Sequence, residues 1–252
     1  MEIPGKKAVI VGGASGMARA TAELLKAKGA SIAILDQPTS AGAEVAKQLG
    51  GTFHPVDITD EVNAESALDD AFEALGGLDI AVNTAGGGIA KRTLGKNGPH
   101  PLDAFRSTVE LNLVATFNLN RLQAFRMSQN EPEDDERGVI IDTASIAAYE
   151  GQIGQVAYAA AKAGITGMVF TMARDLGAVG IRVVAIAPSL FSTGATAIIP
   201  EEMATALVRD AAFPKRMGRP EEYGRLAVAI VENPMLNGST IRLDAGQRFA
   251  PR

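Results

Sequence analysis

The stretch Val11-Gly12-Gly13-Ala14-Ser15-Gly16-Met17-Ala18 stands between two different patterns of apolar residues. Before it, Lys7 to Val11 is a short apolar run typical of a buried strand, and after it Ala20, Leu24 and Leu25 have helical spacing. Glycines let the backbone turn tightly and approach a pyrophosphate, whose charge the amides and dipole at a helix start stabilise. An isolated glycine cluster is about as often a packing turn, but this position after a first strand favours a phosphate-binding loop.

Further apolar, β-branched runs follow along the chain and alternate with segments of helical spacing. Strands are predicted at Lys7 to Val11, Ser31 to Leu35, Thr52 to Val56, Leu78 to Val82, Val139 to Ile141, Ile181 to Ile186 and Thr240 to Leu243. Helical spacing is present in Val62, Leu68, Phe72 and Leu75, in Phe105, Val109, Leu113 and Phe117, and in Val156 to Phe170. This alternation predicts an α/β fold with a doubly wound parallel sheet of about seven strands flanked by helices. We expect residues 1–252, 46% of them hydrophobic, to form a single domain of the Rossmann type.

The composition excludes several classes of protein. The chain has no cysteine, so it can hold neither a disulfide framework nor a thiolate zinc site. His54 and His100 have no cluster of other ligands at metal-binding spacing, and we expect no catalytic metal. A formal net charge of -5 argues against a nucleic acid partner. Because no apolar run approaches membrane-spanning length and the start lacks the pattern of a secretion signal, we expect no membrane association and a cytoplasmic location.

Three segments interrupt the alternation of strands and helices. Residues 87–101, rich in glycine and lysine, and the acidic residues 129–137 are predicted to be surface insertions. The acidic segment is more typical of a solvated loop than of a partner site, because crowded like charges prefer water. Residues 189–217 carry Phe191 and Met203 among other apolar side chains, which predicts either a lid over a substrate or, equally well, a structural helix pair.

Polar residues stand directly after several predicted strands, at the edge of the sheet where such folds bind ligands. Asp36 ends the second strand, where a carboxylate can accept hydrogen bonds from both ribose hydroxyls of NAD and repels the 2'-phosphate of NADP. Neither Ser15 nor Gln37 supplies a cation for that phosphate, so NAD is the expected cofactor. Asp57 could reach the adenine amino group, and Asn83-Thr84-Ala85-Gly86 could line the adenosine side of the cleft. Each of these residues, taken singly, is also ordinary turn chemistry.

A second constellation has the chemistry of proton transfer. Tyr158 and Lys162 are four residues apart in a helical run, so their side chains project from one face. An adjacent ammonium stabilises a phenolate, which lowers the tyrosine pKa and suits acid–base work on an alcohol. Ser145 follows the fifth strand and could orient the substrate oxygen, and Asn112 could hold a water that supplies protons to Lys162. Each residue alone is more often structural, but their joint placement at one sheet edge favours an active site.

The chain resembles the short-chain dehydrogenase/reductase family over essentially its whole length. The resemblance lies in the Gly12 to Ala18 loop, Asn83-Thr84-Ala85-Gly86, Asn112, Ser145, Tyr158-Ala159-Ala160-Ala161-Lys162 and Ala187-Pro188-Ser189. It implies a catalytic tetrad of Asn112, Ser145, Tyr158 and Lys162, and a homotetramer. It also implies NAD bound by Gly12, Ser15, Gly16, Met17, Asp36, Asp57, Ile58, Asn83, Ala85, Gly86, Tyr158, Lys162, Pro188 and Thr193.

Within the family, the chain is similar to the type-2 3-hydroxyacyl-CoA dehydrogenases. The similarity lies in Gln129-Asn130-Glu131-Pro132, Arg137 to Ile141, Glu150-Gly151-Gln152, Ala173 to Leu176, Glu232-Asn233-Pro234 and Ile241 to Asp244. It implies NAD-dependent interconversion of a 3-hydroxyacyl-CoA and the 3-ketoacyl-CoA, with Tyr158 as general acid and base. A reductase of ketoacyl groups on acyl carrier protein, a hydroxysteroid dehydrogenase and a non-catalytic NAD-binding scaffold are the alternatives.

The glycine loop departs from the family pattern at two positions. Val11 stands where threonine is usual, which removes a side-chain hydrogen bond. Ala18 stands where a third glycine is usual, and its methyl group is expected near the cofactor. Both departures predict weakened or shifted cofactor binding.

Overall fold

The computed structural model describes residues 1–193 and 207–249. Its strands are β1 (Lys7–Val11), β2 (Ser31–Asp36), β3 (Thr52–Pro55), β4 (Ile80–Asn83), β5 (Leu94–Gly95), β6 (Gly98–Pro99), β7 (Gly138–Thr143), β8 (Ile181–Pro188) and β9 (Thr240–Leu243). Its α-helices are α1 (Gly16–Ala27), α2 (Gly42–Leu49), α3 (Glu61–Leu75), α4 (Leu102–Val109), α5 (Ala115–Met127), α6 (Val156–Gly177) and α7 (Pro220–Glu232). A π-helix (Glu110–Val114) joins α4 to α5, and a 3₁₀ turn (Ile146–Ala148) follows β7.

Seven strands form one parallel sheet in the order β3-β2-β1-β4-β7-β8-β9. The predicted doubly wound sheet is therefore confirmed, with strand ends that differ by at most two residues from those expected. The order reverses between β1 and β4, which makes the carboxyl ends of these two strands the switch point of the fold. The glycine loop after β1 and residues Thr84 to Gly86 after β4 meet at this point.

Both faces of the sheet are covered, which explains why the strands read as continuous apolar runs. In β8 all eight residues are buried. In β1, Val9 and Val11 point into a core that is shared with α3, α5 and α6. Ala8 and Ile10 point into a second core, shared with α1, α2 and α7. The strict alternation within β1 fixes the register, because a one-residue slip would exchange the two cores.

The two predicted insertions have defined structures. Residues 87–101 carry the β5–β6 ribbon. Residues 129–137 form a tight turn in which Glu133 is ion-paired with Lys6, and Glu136 with Arg182 at 2.8 Å. The interpretation of the acidic segment as a solvated loop agrees with the exposure of residues 131–135, whereas Glu136 is largely covered and fastens the turn to Arg182.

Helix α6 is long and apolar enough, by length and composition alone, to cross a membrane. This differs from the expectation that no stretch approaches that length. One face of α6, with Ile165, Val169 and Ala173, packs against the sheet as part of the first core. The core therefore accounts for part of its apolar surface, since 39% of the apolar stretch is buried. The middle of the predicted lid, residues 194–206, lies outside the described residues.

Candidate active site

The glycine loop has the conformation that its composition predicts. Gly12 has φ +79°, and a β-carbon there would lie 2.8 Å from Thr84 Oγ1. Gly16 begins α1 with φ +55°. Ser15 is the N-cap residue of α1, but its side chain makes no capping hydrogen bond. The loop therefore presents backbone amides, a helix start and a hydroxyl to the same cleft, which is the chemistry that an anion requires.

This cleft has a volume of about 390 Å³ and lies over the switch point of the sheet. It brings together most of the residues expected at the cofactor, namely Gly12, Ser15, Gly16, Met17, Asp36, Asp57, Ile58, Ala85, Gly86 and Thr193. Thr84, expected on the adenosine side, also lines it, as do Val56 and Leu111, which the sequence reasoning missed. Close glycine contacts, a helix start and two carboxylates in one cleft fit a dinucleotide.

The two carboxylates of the cleft are held by the backbone. Asp36 accepts hydrogen bonds from Ala14 N at 2.9 Å and from Gln37 N at 2.7 Å. These bonds hold the Asp36 side chain at the end of β2. Asp57 accepts from the backbone and side chain of Thr59, and these bonds lower the pKa of its carboxyl. Asp57 therefore caps a turn as well as lining the cleft.

Two expected residues, Asn83 and Ala18, are placed differently, whereas Thr193 lines the cleft as expected. The side chain of Asn83 does not line the cleft; it points into the buried layer under the sheet edge, where it is bonded to Gln123 and Asp142. Thr193 lies across the glycine loop, since a β-carbon at Gly16 would be 3.0 Å from its Cγ2. The methyl group of Ala18 was expected near the cofactor, but it is 1% exposed and packs in the second core.

Tyr158, Lys162 and Ser145 come together above the carboxyl end of β7. Ser145 and Tyr158 line the same cleft, and the Ser145 hydroxyl lies near enough to the phenol to favour its ionised form. Lys162 Nζ lies 5.7 Å from the centre of the Tyr158 ring. It donates to the carbonyl oxygen of Thr143 at 2.7 Å. The i,i+4 pair predicted from the sequence thus faces the serine predicted from the end of the fifth strand.

Burial dominates the proton affinities of this group. Desolvation raises the pKa of Tyr158, and the hydrogen bond from Ser145 opposes it only in part. We expected the Lys162 charge to lower the pKa of Tyr158. In the protein without cofactor the pKa is instead raised, because burial outweighs every other influence on this phenol. Desolvation also lowers the pKa of Lys162 to about 8, so the side chain is still mostly an ammonium at neutral pH.

Asn112 lies in the π-helix between α4 and α5, wholly buried. Its side chain accepts from Gly87 N at 3.0 Å and donates to Gly87 O at 2.5 Å and Thr108 O at 2.9 Å. A β-carbon at Gly86 would be 2.6 Å from Asn112 Oδ1 and 3.4 Å from Lys162 Nζ. The amide of Asn112 therefore fixes the turn at residues 86–87, a different contact from the water expected there.

A second cleft of about 320 Å³ meets the site from the other side. Ser145 and Tyr158 form its polar end, and Ile89, Leu190 and Phe249 give it apolar walls. Gln155 also lines it, with an Oε1 atom that is buried and has no hydrogen-bond partner in the described chain. Sequence reasoning missed Gln155 and Phe249, because neither stands in a motif. Such a cleft suits an apolar molecule with a polar reacting group.

Metal chemistry has no support in the part of the chain that the structure describes. Within residues 1–193 and 207–249, no group of three or more His, Cys, Asp or Glu side chains could hold a metal ion. His54 is hydrogen-bonded to Thr52 at 2.9 Å, and burial lowers its pKa. The absence of a catalytic metal stays a prediction.

Comparison with known proteins gives consistent results. Residues 12–248 match a family model described as enoyl-(acyl carrier protein) reductase. The chain is 48% identical to 3-hydroxyacyl-CoA dehydrogenase type-2 of Drosophila melanogaster, over 96% of this chain and 97% of that protein. It is also 48% identical to the type-2 enzyme of Homo sapiens, over 99% of this chain and 97% of the relative.

Two solved structures share the fold. The crystal structure of 3-hydroxyacyl-CoA dehydrogenase type-2 from Mycobacterium avium superposes with a TM-score of 0.94, at 40% identity over 98% of both chains. A 7α-hydroxysteroid dehydrogenase in complex with NADH and 7-oxo glycochenodeoxycholic acid superposes with a TM-score of 0.88, at 30% identity over 100% of this chain and 97% of that one. The chain therefore belongs to the short-chain dehydrogenase/reductase family, and it is an oxidoreductase that acts on secondary alcohols.

Proposed function

We propose that this protein interconverts a 3-hydroxyacyl-CoA and the corresponding 3-ketoacyl-CoA, with NAD as cofactor. The proposal rests on the pair of Ser145 and Tyr158, which form the polar end of the second cleft beside the dinucleotide cleft. One cleft has the walls of a dinucleotide site, and the other has apolar walls. The relatives named 3-hydroxyacyl-CoA dehydrogenase type-2, 48% identical over nearly the whole chain, favour an acyl thioester as the substrate.

In this proposal, the substrate hydroxyl lies between Ser145 and Tyr158. Ser145 orients the oxygen, and Tyr158 takes its proton as the carbon is oxidised. Lys162, with Nζ anchored on Thr143, holds a positive charge beside the phenol and offers donors to a ribose. Nicotinamide, when bound, accepts the hydride, so a 3-ketoacyl product and NADH result. Asn112 holds the backbone at residues 86–87, against which the cofactor would rest.

NAD is the proposed cofactor, and Asp36 supports this preference. Its carboxylate is fixed at the end of β2 by two backbone amides and lines the cleft. A fixed negative charge accepts hydrogen bonds from ribose hydroxyls and repels a 2'-phosphate. The expected cofactor residue Pro188 ends β8 and lines neither cleft, but Ser189 and Leu190 after it line the second cleft and Thr193 lines the first. We assign the nicotinamide end to this region.

The substrate is tested by following NADH absorbance while acetoacetyl-CoA, its acyl-carrier-protein counterpart and a ketosteroid are offered in turn. We expect oxidation of NADH with acetoacetyl-CoA and little with NADPH. Preference for the carrier-protein substrate and NADPH would favour the ketoacyl reductase, and preference for the ketosteroid would favour a hydroxysteroid dehydrogenase. Lack of turnover with all three would favour the non-catalytic scaffold.

The role of Tyr158 is tested by Tyr158→Phe. Because the ring stays and only the exchangeable proton is lost, turnover should fall by about a hundredfold or more while NADH binding is nearly unchanged. Tyr149→Phe is the matched control, since Tyr149 is 49% exposed and lies outside the described clefts. Turnover retained in Tyr158→Phe would remove the phenol from the proposed mechanism.

A homotetramer and a cytoplasmic location are also proposed. Exposed apolar side chains on neighbouring helices support self-association, notably Phe117 and Phe125 of α5 and Phe170 of α6, each about half exposed. Light scattering of the purified protein should give four times the mass of one chain. Fractionation of the source cells tests the location.

A further inference from the structure

One buried carboxylate close to the active site has no part in the mechanism above. Asp142 precedes Thr143 on β7 and is 0% exposed. Asn83 Nδ2 donates to its Oδ1 at 3.0 Å, and Asn120 Nδ2 donates to its Oδ2 at 2.7 Å. An ionised carboxyl only accepts hydrogen bonds, whereas a protonated one must also donate. Two amide donors, one at each oxygen, therefore match the ionised form.

The amides around Asp142 are themselves held in place. Asn83 Nδ2 donates to Asn120 Oδ1 at 2.9 Å, and Gln123 Nε2 donates to Asn83 Oδ1 at 2.8 Å. All three side chains are at most 4% exposed. A buried polar network destabilises the fold unless its donors and acceptors are hydrogen-bonded. Here the amides of Asn83 and Asn120 both donate to the Asp142 carboxylate. The network is built to keep a carboxylate in the core.

Lys162 is the cationic side chain that acts on Asp142. It is 3% exposed, and its Nζ is bonded to the carbonyl of Thr143, the residue after Asp142 on the same strand. Arg182, the other buried cationic side chain among the described residues, is paired directly with Glu136 at 2.8 Å. Asp142 and Lys162 instead act on each other through the low-dielectric layer between the sheet and the helices α5 and α6. Each charge offsets part of the other's burial cost.

We propose that Asp142 is a positioning residue for the reaction: its buried carboxylate keeps Lys162 in the ammonium form beside Tyr158. This role deepens the proposed function and rests on it. Asp142 touches neither cleft, so it acts only through Lys162. The other titratable groups that face the pair are Tyr158, on the helix of Lys162, and Tyr223 of α7, which is bonded to the Thr143 side chain.

The proton affinities agree with this arrangement. Burial raises the pKa of Asp142 to about 6, against the lowering effects of Asn83, Asn120 and Lys162, so the carboxyl is ionised at neutral pH. Burial lowers the pKa of Lys162 to about 8, and the Asp142 charge raises it. Without that charge, desolvation acts on Lys162 unopposed. The ammonium would then be lost at lower pH, within the range in which the enzyme works.

The test is Asp142→Asn, which keeps the size of the side chain and removes the charge. The pH at which kcat/KM falls through loss of the Lys162 proton should move down by about one unit.

The pH dependence of the urea unfolding midpoint provides a readout without substrate. Because the folded chain holds the Lys162 proton less tightly than the unfolded chain, stability from this group rises with pH above its folded pKa. In Asp142→Asn this rise should begin about one unit lower, and in a Lys162→Met background the rise should be absent with either residue at position 142.

Gln123→Leu is the matched control, since it disturbs the same network without touching Asp142 and should leave both profiles in place. If Asp142→Asn does not fold, Asn120→Leu replaces it. That variant removes one of the two donors, so Asp142 should gain its proton near neutrality and the Lys162 shift should appear there. Folded Asp142→Asn with wild-type profiles would overturn the proposal. Absence of turnover with every substrate would contradict the proposed function but not the role of Asp142. That role is tested separately, because the unfolding measurements need no substrate.

Discussion

Gly86 is the residue at which the cofactor cleft and the proton-transfer group come closest. A β-carbon there would be 2.6 Å from Asn112 Oδ1 and 3.4 Å from Lys162 Nζ. We expect Gly86→Ala to displace the Asn112 amide and with it the turn at residue 87, since the buried side chain has no room to move away. A displacement of about 1 Å near the reacting groups can lower kcat about a hundredfold. Steady-state kinetics with NADH and acetoacetyl-CoA measures the loss.

A second substitution separates crowding from other effects of the added methyl group. Gly86→Ala combined with Asn112→Ala makes room for the β-carbon, so the double variant should be no worse than Asn112→Ala alone. If the two losses instead multiply, the methyl group acts on the cofactor and not on Asn112. Gly167, on α6 with open space where its β-carbon would lie, provides a Gly→Ala control outside the site.

Some residue-scale features can be predicted from the sequence, and others cannot. Tyr158 and Lys162 are local partners, so an i,i+4 spacing is enough to place them together. Asn83 stands in a motif at a strand end, and yet its side chain faces the core, because the direction depends on partners 37 and 59 residues away. Ala18 likewise turned inward with the packing of α1. Side-chain direction follows from tertiary packing, which a single sequence does not display.

At the scale of elements, α7 depends on an ion pair at its first turn. Arg216 donates to both carboxylate oxygens of Glu222, at 2.9 and 2.6 Å, and Arg219 N donates to the same carboxylate at 2.7 Å. These bonds lower the pKa of Glu222 from 4.5 to about 2. A depressed carboxyl pKa stabilises the fold above the unfolded value, and this stabilisation is lost as the pH falls towards the folded value.

We therefore expect Glu222→Gln to lower the free energy of unfolding by about 1 kcal/mol at pH 7. The difference from the wild type should shrink as the pH falls from about 5 to about 2, because the carboxyl gains its proton at a higher pH in the unfolded chain than in the folded chain. Urea unfolding midpoints across this range measure it. Glu221→Gln, in the same first turn but exposed, is the control. A difference that is constant with pH would mean that shape, and not charge, holds the helix start.

The strands and most helices could be predicted because buried segments show characteristic patterns of apolar residues in the sequence. Strands covered on both faces read as β-branched runs, and β7 and β8 are wholly buried. The π-helix at Glu110–Val114 was not predictable, since it is a shift of hydrogen-bond register inside a continuous helical pattern. It matters for the site, because it carries Asn112. The β5–β6 ribbon, with two residues in each strand, is too short to show periodicity.

At the scale of the whole molecule, a charge network ties the end of the described chain to the wall of the second cleft. Glu150, just after the 3₁₀ turn, pairs with Arg242 at 2.8 Å and accepts from Phe249 N at 3.1 Å. Asp244 holds Arg242 at 2.7 Å. Phe249 lines the cleft beside Tyr158. These partners are about a hundred residues apart in sequence, so no local sequence pattern predicts their contact.

Glu150→Gln should loosen this segment and release Phe249 from the cleft. Loss of a charge-assisted bond of this kind is expected to raise the KM for an acyl thioester about tenfold, with kcat and NADH affinity nearly unchanged, because the reacting groups and the cofactor cleft are not touched. Glu133→Gln is the matched control: Glu133 is also ion-paired, with Lys6, but at the amino-terminal edge of the sheet. An equal KM in the two variants would show that Phe249 takes no part in binding the acyl chain, and a fall in kcat would show that the network supports the proton-transfer group itself.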